Sequence, residues 1–186
     1  MKTSITSLLI IFCFSILTYA QTPQDRATEL KEQAQSSLKQ KDYIKARYLF
    51  KKAYEAFAAR ENYPQAIECG VQANALYVRE NFYKEGFELC RDMEQLLWTG
   101  EQNKKKVFYD LRFLINKERL QMYTTLKNPA QAKTQLDKLE ETANLAKNDS
   151  LTEVLLYTKA NYYYTFNQNT QGDACFRKLI NQYKEK

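Results

Sequence analysis

The sequence contains no histidine, which rules out Ser-His-Asp and Cys-His nucleophiles and removes the commonest ligand of catalytic zinc. Three cysteines lie beyond residue 20, at Cys69, Cys90 and Cys175, an odd number without CxxC spacing. They read as buried free thiols, with a Cys69 to Cys90 bridge as the alternative. The serines of the same stretch are Ser36, Ser37 and Ser150, and no glycine-rich phosphate loop or dinucleotide fingerprint occurs. Glu140 and Glu141 offer two carboxylates, the raw material of a glycosidase pair, but their position predicts a solvated helix face. Lys104-Lys105-Lys106 and Tyr162-Tyr163-Tyr164 supply the basic and aromatic residues of a single-strand nucleic-acid groove, yet the two runs fall in different elements rather than on one surface. These residues predict a non-catalytic chain with no cofactor, no metal and no nucleic-acid partner.

Residues 1-20, MKTSITSLLIIFCFSILTYA, carry one lysine, an apolar run from Leu8 to Leu17, and Thr18-Tyr19-Ala20 before Gln21. That order predicts a signal peptide over 1-20 and a mature helical domain over 21-186, exported to the periplasm or cell envelope, or secreted. An uncleaved anchor is the alternative. Phe12 precedes Cys13 where a lipoprotein site wants a small residue, so lipidation is not expected there. No later stretch is apolar for long enough to cross a membrane. Loss of Lys2 leaves 27 of the 28 basic residues against 22 acidic ones, a mild excess spread along the chain and typical of solvated helix faces.

Any functional side chain must therefore be positioned by helices, because the apolar residues follow a helical period almost throughout and glycine and proline are scarce. In KDYIKARYLFKKAYEAF, from Lys41 to Phe57, the residues Tyr43, Ala46, Phe50, Ala53 and Phe57 form one stripe. Helix starts are marked by Thr22-Pro23, by Pro64, by Asn128-Pro129 and by SLTE from Ser150 to Glu153, which reads as a capping box. The spacing predicts eight helices, at 23-40, 43-60, 64-80, 83-98, 105-126, 129-147, 150-167 and 171-184, with TGEQNKKK (99-106) as the one long connection. Short links make consecutive helices antiparallel.

Small residues recur at Ala46, Gly86, Ala132 and Gly172, at intervals of 40, 46 and 40. Four residues after each comes Phe50, Cys90, Leu136 or Phe176, and seven after comes Ala53, Met93, Leu139 or Leu179. Nine before each stands Ser37, Tyr77, Tyr123 or Tyr163. This pattern resembles the tetratricopeptide repeat, with its best local matches at Ala46 to Phe50 and at Ala160 to Tyr163. The resemblance covers the chain from about Asp25 onward. The unit here is longer than the 34 residues of that family, and the family's tryptophan-leucine-glycine start is missing, Trp98 lying elsewhere. The expected fold is all-α, an antiparallel helix-hairpin solenoid of about four such repeats after a signal peptide.

The resemblance implies a concave side lined by the first helix of each repeat and suited to an extended peptide or protein segment. In this register the groove residues are Lys31, Gln35, Asn74, Val78, Arg79, Lys117, Gln121, Tyr157, Asn161 and Tyr164. Amides can bond a peptide backbone, tyrosines can grip its side chains, and Arg79 or Lys117 can pair with a carboxylate. Lys31 and Gln35 resemble the first element of the family's two-carboxylate clamp, but Leu114 and Glu118 replace the basic residues that clamp requires. A rival reading is a periplasmic sensory input region of a membrane-anchored regulator. Without a polar closing helix, truncation, a missing continuation or homodimerisation through the last repeat are all open expectations.

Overall fold

The computed structural model describes residues 23–184, and every regular element among them is an α-helix. These are α1 (Pro23–Lys39), α2 (Tyr43–Ala58), α3 (Tyr63–Arg79), α4 (Tyr83–Lys104), α5 (Tyr109–Thr125), α6 (Pro129–Ala146), α7 (Asp149–Thr165) and α8 (Asn169–Lys184). Each helix packs against the next in sequence, α3 also packs against α5, and α5 against α7. The chain is an all-α helix-hairpin solenoid. The expected signal peptide lies outside the described residues.

Most helix starts follow the sequence. Asp42, Asn62 and Asn128 accept the backbone N–H of Lys45, Gln65 and Gln131, which relieves one orphan donor at each start. Pro64 and Pro129 sit in first turns, where a missing N–H costs nothing. Two expectations are corrected. SLTE is no capping box, because Asn148 accepts the Ser150 N–H at 3.0 Å and starts the helix at Asp149. TGEQNKKK is no connection either, because α4 continues through Thr99 to Lys104. At 22 residues, α4 exceeds the 16 of α2 by the whole difference between the 46-residue step and the 40-residue steps.

Within each hairpin the first helix ends in the same turn. Lys41, Asn81, Lys127 and Asn167 are left-handed, with φ of 63°, 62°, 53° and 58°. The N–H of the following residue returns to the carbonyl of Ser37, Tyr77, Tyr123 or Tyr163 at 2.8–2.9 Å, and the left-handed residue bonds two positions nearer. This is the Schellman motif, and the recurring serine or tyrosine is its acceptor. The tyrosine column of the sequence therefore marks where each first helix stops. Its rings are half-buried rather than fully in the core.

The small-residue columns mark where the hairpin helices meet. Ala46, Gly86, Ala132 and Gly172 are all buried. A Cβ on Gly86 would stand 2.9 Å from Met122 Sδ and 3.0 Å from Asn74 Oδ1, and one on Gly172 would stand 2.9 Å from the Tyr164 ring. Phe50, Cys90 and Leu136 fill the space four residues on, at most 1% exposed, and Ala53, Met93 and Leu139 are wholly buried. The fourth repeat departs from this pattern, since Phe176 and Leu179 are only half-buried. Among the described residues no helix follows α8 to cover them.

Between repeats, charge pairs recur in register. Glu94 meets Arg119 at 2.7 Å, and Glu140 meets Lys159 at 2.9 Å, each joining a second helix to the next first helix. At the first junction Arg47 pairs with Glu80 and lies over the rings of Tyr77 and Phe82 at 4.8 and 4.9 Å. Helix α5 serves two cores, with Ile115 and Met122 in that of α1 to α4 and Phe113 and Leu120 in that shared with α6 and α7.

Lysine in a left-handed turn costs about 1–2 kcal/mol, more than the flexibility glycine brings to the unfolded chain at about 0.5–1 kcal/mol. Lys127→Gly is therefore expected to stabilise the fold by about 0.5–1 kcal/mol, read as a raised urea midpoint at unchanged slope. Asn167→Gly should gain less, because asparagine tolerates this conformation.

Candidate peptide-binding groove

Side chains on the first helices divide into two recesses rather than one groove. At one end, Lys31 and Gln35 of α1 border a shallow space of about 200 Å³ with Phe50, Glu68 and Cys69. Lys31 Nζ already bonds Gln65 Oε1 and Glu68 Oε2, both at 2.8 Å, so its charge is matched within the fold.

In the middle, α3 and α5 are closed upon each other. Asn74 does not line a groove, being wholly buried with its Nδ2 donating to buried Glu118 Oε2 at 3.1 Å. The reason is its slot, which faces Gly86 instead of solvent. Val78 is half-buried, and Arg79 lies over the Tyr43 ring at 3.9 Å, toward α2. Neither is gathered with the other groove residues.

The second recess, of about 370 Å³, lies between α5 and α7 and brings together four of the expected residues, Lys117, Gln121, Tyr157 and Asn161. Its apolar part comes from Leu120, Val154, Tyr157 and Tyr162, with Val154 40% and Tyr157 54% exposed. The side-chain amides of Gln121 and Asn161 are exposed and make no hydrogen bond among the described residues. Lys117 is held to Glu118 at 3.3 Å. Burial raises the Tyr162 phenol above its ordinary value, so it stays a neutral donor. Tyr164, expected here, faces α8 instead, where its hydroxyl donates to Asp173 and its ring stacks on Phe176.

A third space of about 400 Å³ opens on the outer side, between α4, α5 and α6, and was not foreseen from the sequence. Its walls include Leu97, Trp98, Tyr109, Ile115 and Leu145, with Trp98 62% exposed. Internal comparison explains it. At the preceding junction Tyr63 is clamped by Gly100 of the long α4 and by Phe108 at 5.6 Å, whereas Tyr109, in the matching slot, meets no such extension because α6 stops at Ala146. Of its polar side chains, Arg112 pairs with Glu101, Glu94 with Arg119, and Asn116 donates to Thr142 at 3.4 Å, while Lys138 and Glu141 also line it.

The three described cysteines, Cys69, Cys90 and Cys175, are free and buried, so no Cys69 to Cys90 bridge forms. Burial pushes the Cys69 and Cys90 thiols up to about 12, which leaves them protonated and inert. Among the described residues no three histidine, cysteine or acidic side chains gather as metal ligands, and no helix is long and apolar enough to cross a membrane. No family model matches the chain, and no curated protein matches it.

Glu101 is a buried, paired carboxylate in the stretch expected to be a loop. It is 6% exposed and accepts the Phe108 N–H at 2.9 Å and Arg112 Nε at 2.8 Å, so a side chain from α4 caps α5. Burial alone would raise its carboxyl, but the bonds from Arg112 and Phe108 outweigh it and hold the carboxyl below 4.5. A depressed carboxylate contributes stability above its unfolded value and loses it as pH falls through the folded one. Glu101→Gln should thus cost about 1 kcal/mol at neutral pH, Arg112 being partly solvated, and the gap to the native sequence should close as pH falls below the ordinary carboxylate range in urea unfolding.

Proposed function

We propose that the chain is an exported, non-catalytic scaffold of tetratricopeptide-like repeats that binds a peptide or protein segment between α5 and α7. The observation that carries this reading is the pair of unengaged amides, Gln121 and Asn161, on opposite walls of one recess beside exposed Val154 and Tyr157. An extended peptide has an N–H and a C=O at every residue, and amides in such positions can satisfy both while the apolar wall takes alternate side chains. Lys117 at the rim favours an acidic residue or terminal carboxylate nearby, its single Glu118 contact leaving donors to spare. The larger outer space suits this role less, since Arg112 and Glu94 on its walls are committed to structural pairs and its one side-chain amide, Asn116, already donates to Thr142.

Selection of a displayed random-peptide library on the chain tests this directly. Selected peptides should lose about tenfold or more in affinity, about 1.4 kcal/mol, when Gln121→Ala and Asn161→Ala are combined. Lys117→Glu should weaken the acidic ones most. Peptides that bind a variant carrying all three substitutions as well as the native chain would place recognition elsewhere and refute the assignment.

A further inference from the structure

From α3 to α5 the repeat exchanges two small residues for large ones, and the outer space follows from that exchange. On α3, Ala66 and Gly70 are buried, and a Cβ on Gly70 would stand 2.5 Å from Met93 Sδ and 3.3 Å from the Tyr54 ring, so α2 and α4 close over that helix. The same slots of α5 hold Arg112 and Asn116, which turn to Glu101 and Thr142 and keep α4 and α6 apart. The space of about 400 Å³ left there lies at the lower end of the range of small-ligand pockets, roughly 300–1,000 Å³.

Its lining is chemically uneven. Leu97 and Ile115, each 1% exposed, form a buried apolar floor. Trp98 borders the space 62% exposed, in a slot that holds Ala58 on α2 and Asn144 on α6, and it has no ring partner among the described residues. Lys138 and Glu141 lie one turn apart on α6, and both side chains border the space, exposed and without a partner among the described residues. Their mutual attraction at this spacing on a solvated face is weak and does not withhold them from a ligand. The other charged groups here, Glu94 and Arg112, are taken by Arg119 and Glu101. A free cation and a free anion beside an uncovered indole match a small molecule with both charges at one end and a flat apolar body at the other. The interior of a peptide carries neither charge, and a simple amine or carboxylate leaves one of the two unmatched.

We infer that the outer space between α4, α5 and α6 binds a free aromatic α-amino acid. Its carboxylate pairs with Lys138 and its ammonium with Glu141, while its ring lies over Leu97 and Ile115 and meets the indole of Trp98. Because both charged contacts are solvent-exposed, each contributes modestly, and a Kd of about 1 mM is expected. The site shares no residue with the α5/α7 recess and stands whether or not that recess takes a peptide.

Trp98 is the one tryptophan of the chain, so its fluorescence reads the site directly. Titration with L-phenylalanine up to about 10 mM should change the Trp98 emission and saturate. Phenethylamine, hydrocinnamate and L-leucine lack the carboxylate, the ammonium and the ring in turn, and each should bind about threefold or more weaker. N-acetyl-phenylalanine amide, which lacks both charges as a residue inside a peptide does, should bind weakest. Lys138→Gln should erase the preference over phenethylamine and Glu141→Gln the preference over hydrocinnamate, with helical circular dichroism unchanged at these exposed positions. Combining Gln121→Ala with Asn161→Ala should leave the titration as it is. An emission that does not respond saturably to L-phenylalanine, an analogue that binds as tightly as the amino acid, or charge variants that keep both preferences would each overturn the inference.

Discussion

Everything in this fold depends on how closely two helix backbones can approach at one point in each hairpin. Ala46, Gly86, Ala132 and Gly172 set that distance, and the atoms that would collide with a larger side chain at the glycines come from other helices, Met122 at Gly86 and Tyr164 at Gly172. Close approach lets Phe50, Cys90 and Leu136 sit in dense packing four residues later, where dispersion and burial act together. The Schellman turn then reverses the chain at a fixed distance from the contact. Turn and contact recur together, so each hairpin has the same shape, and stacking such hairpins generates the solenoid.

The recesses arise from the differences between junctions. The second and third use a glutamate and a cation in equivalent slots, while the first uses Arg47 between two rings. Where α3 meets α5, the buried Asn74 and Glu118 pair closes the inner side. Where α5 meets α7, the equivalent of Asn74 is Leu120, no polar bridge draws the helices together, and a recess remains. The same logic produced the outer space, because α4 has an extension that α6 lacks. Small departures from an exact repeat thus create the concave sites.

The helical fold was legible because period, caps and small-residue spacing all pointed the same way. Helix ends were less so at two places. SLTE satisfied a capping pattern, but Asn148 lay one turn-forming step earlier and competed successfully for the same N–H groups. In TGEQNKKK the polar composition suggested a loop, although Gly100 packs on Tyr63 and Glu101 caps α5, and both partners are distant in sequence. Of the groove residues, Lys117, Gln121, Tyr157 and Asn161 were found together because α5 and α7 obey the register. Asn74 and Tyr164 were misplaced for a common reason. A helical wheel gives direction but not depth, and whether an inward side chain meets solvent or a neighbouring helix depends on packing angles that the wheel does not contain.

The most direct measurement of the central claim is a comparison of leucine substitutions at contact and non-contact positions. Gly86→Leu and Ala132→Leu should each cost about 1–3 kcal/mol by overpacking the helix contacts. Ala75→Leu and Ala174→Leu, at exposed positions of α3 and α8, should stay within about 0.5 kcal/mol of the native chain. Equal costs at all four positions in urea unfolding would contradict the account, because the small residues would then have no special part in bringing the helices together.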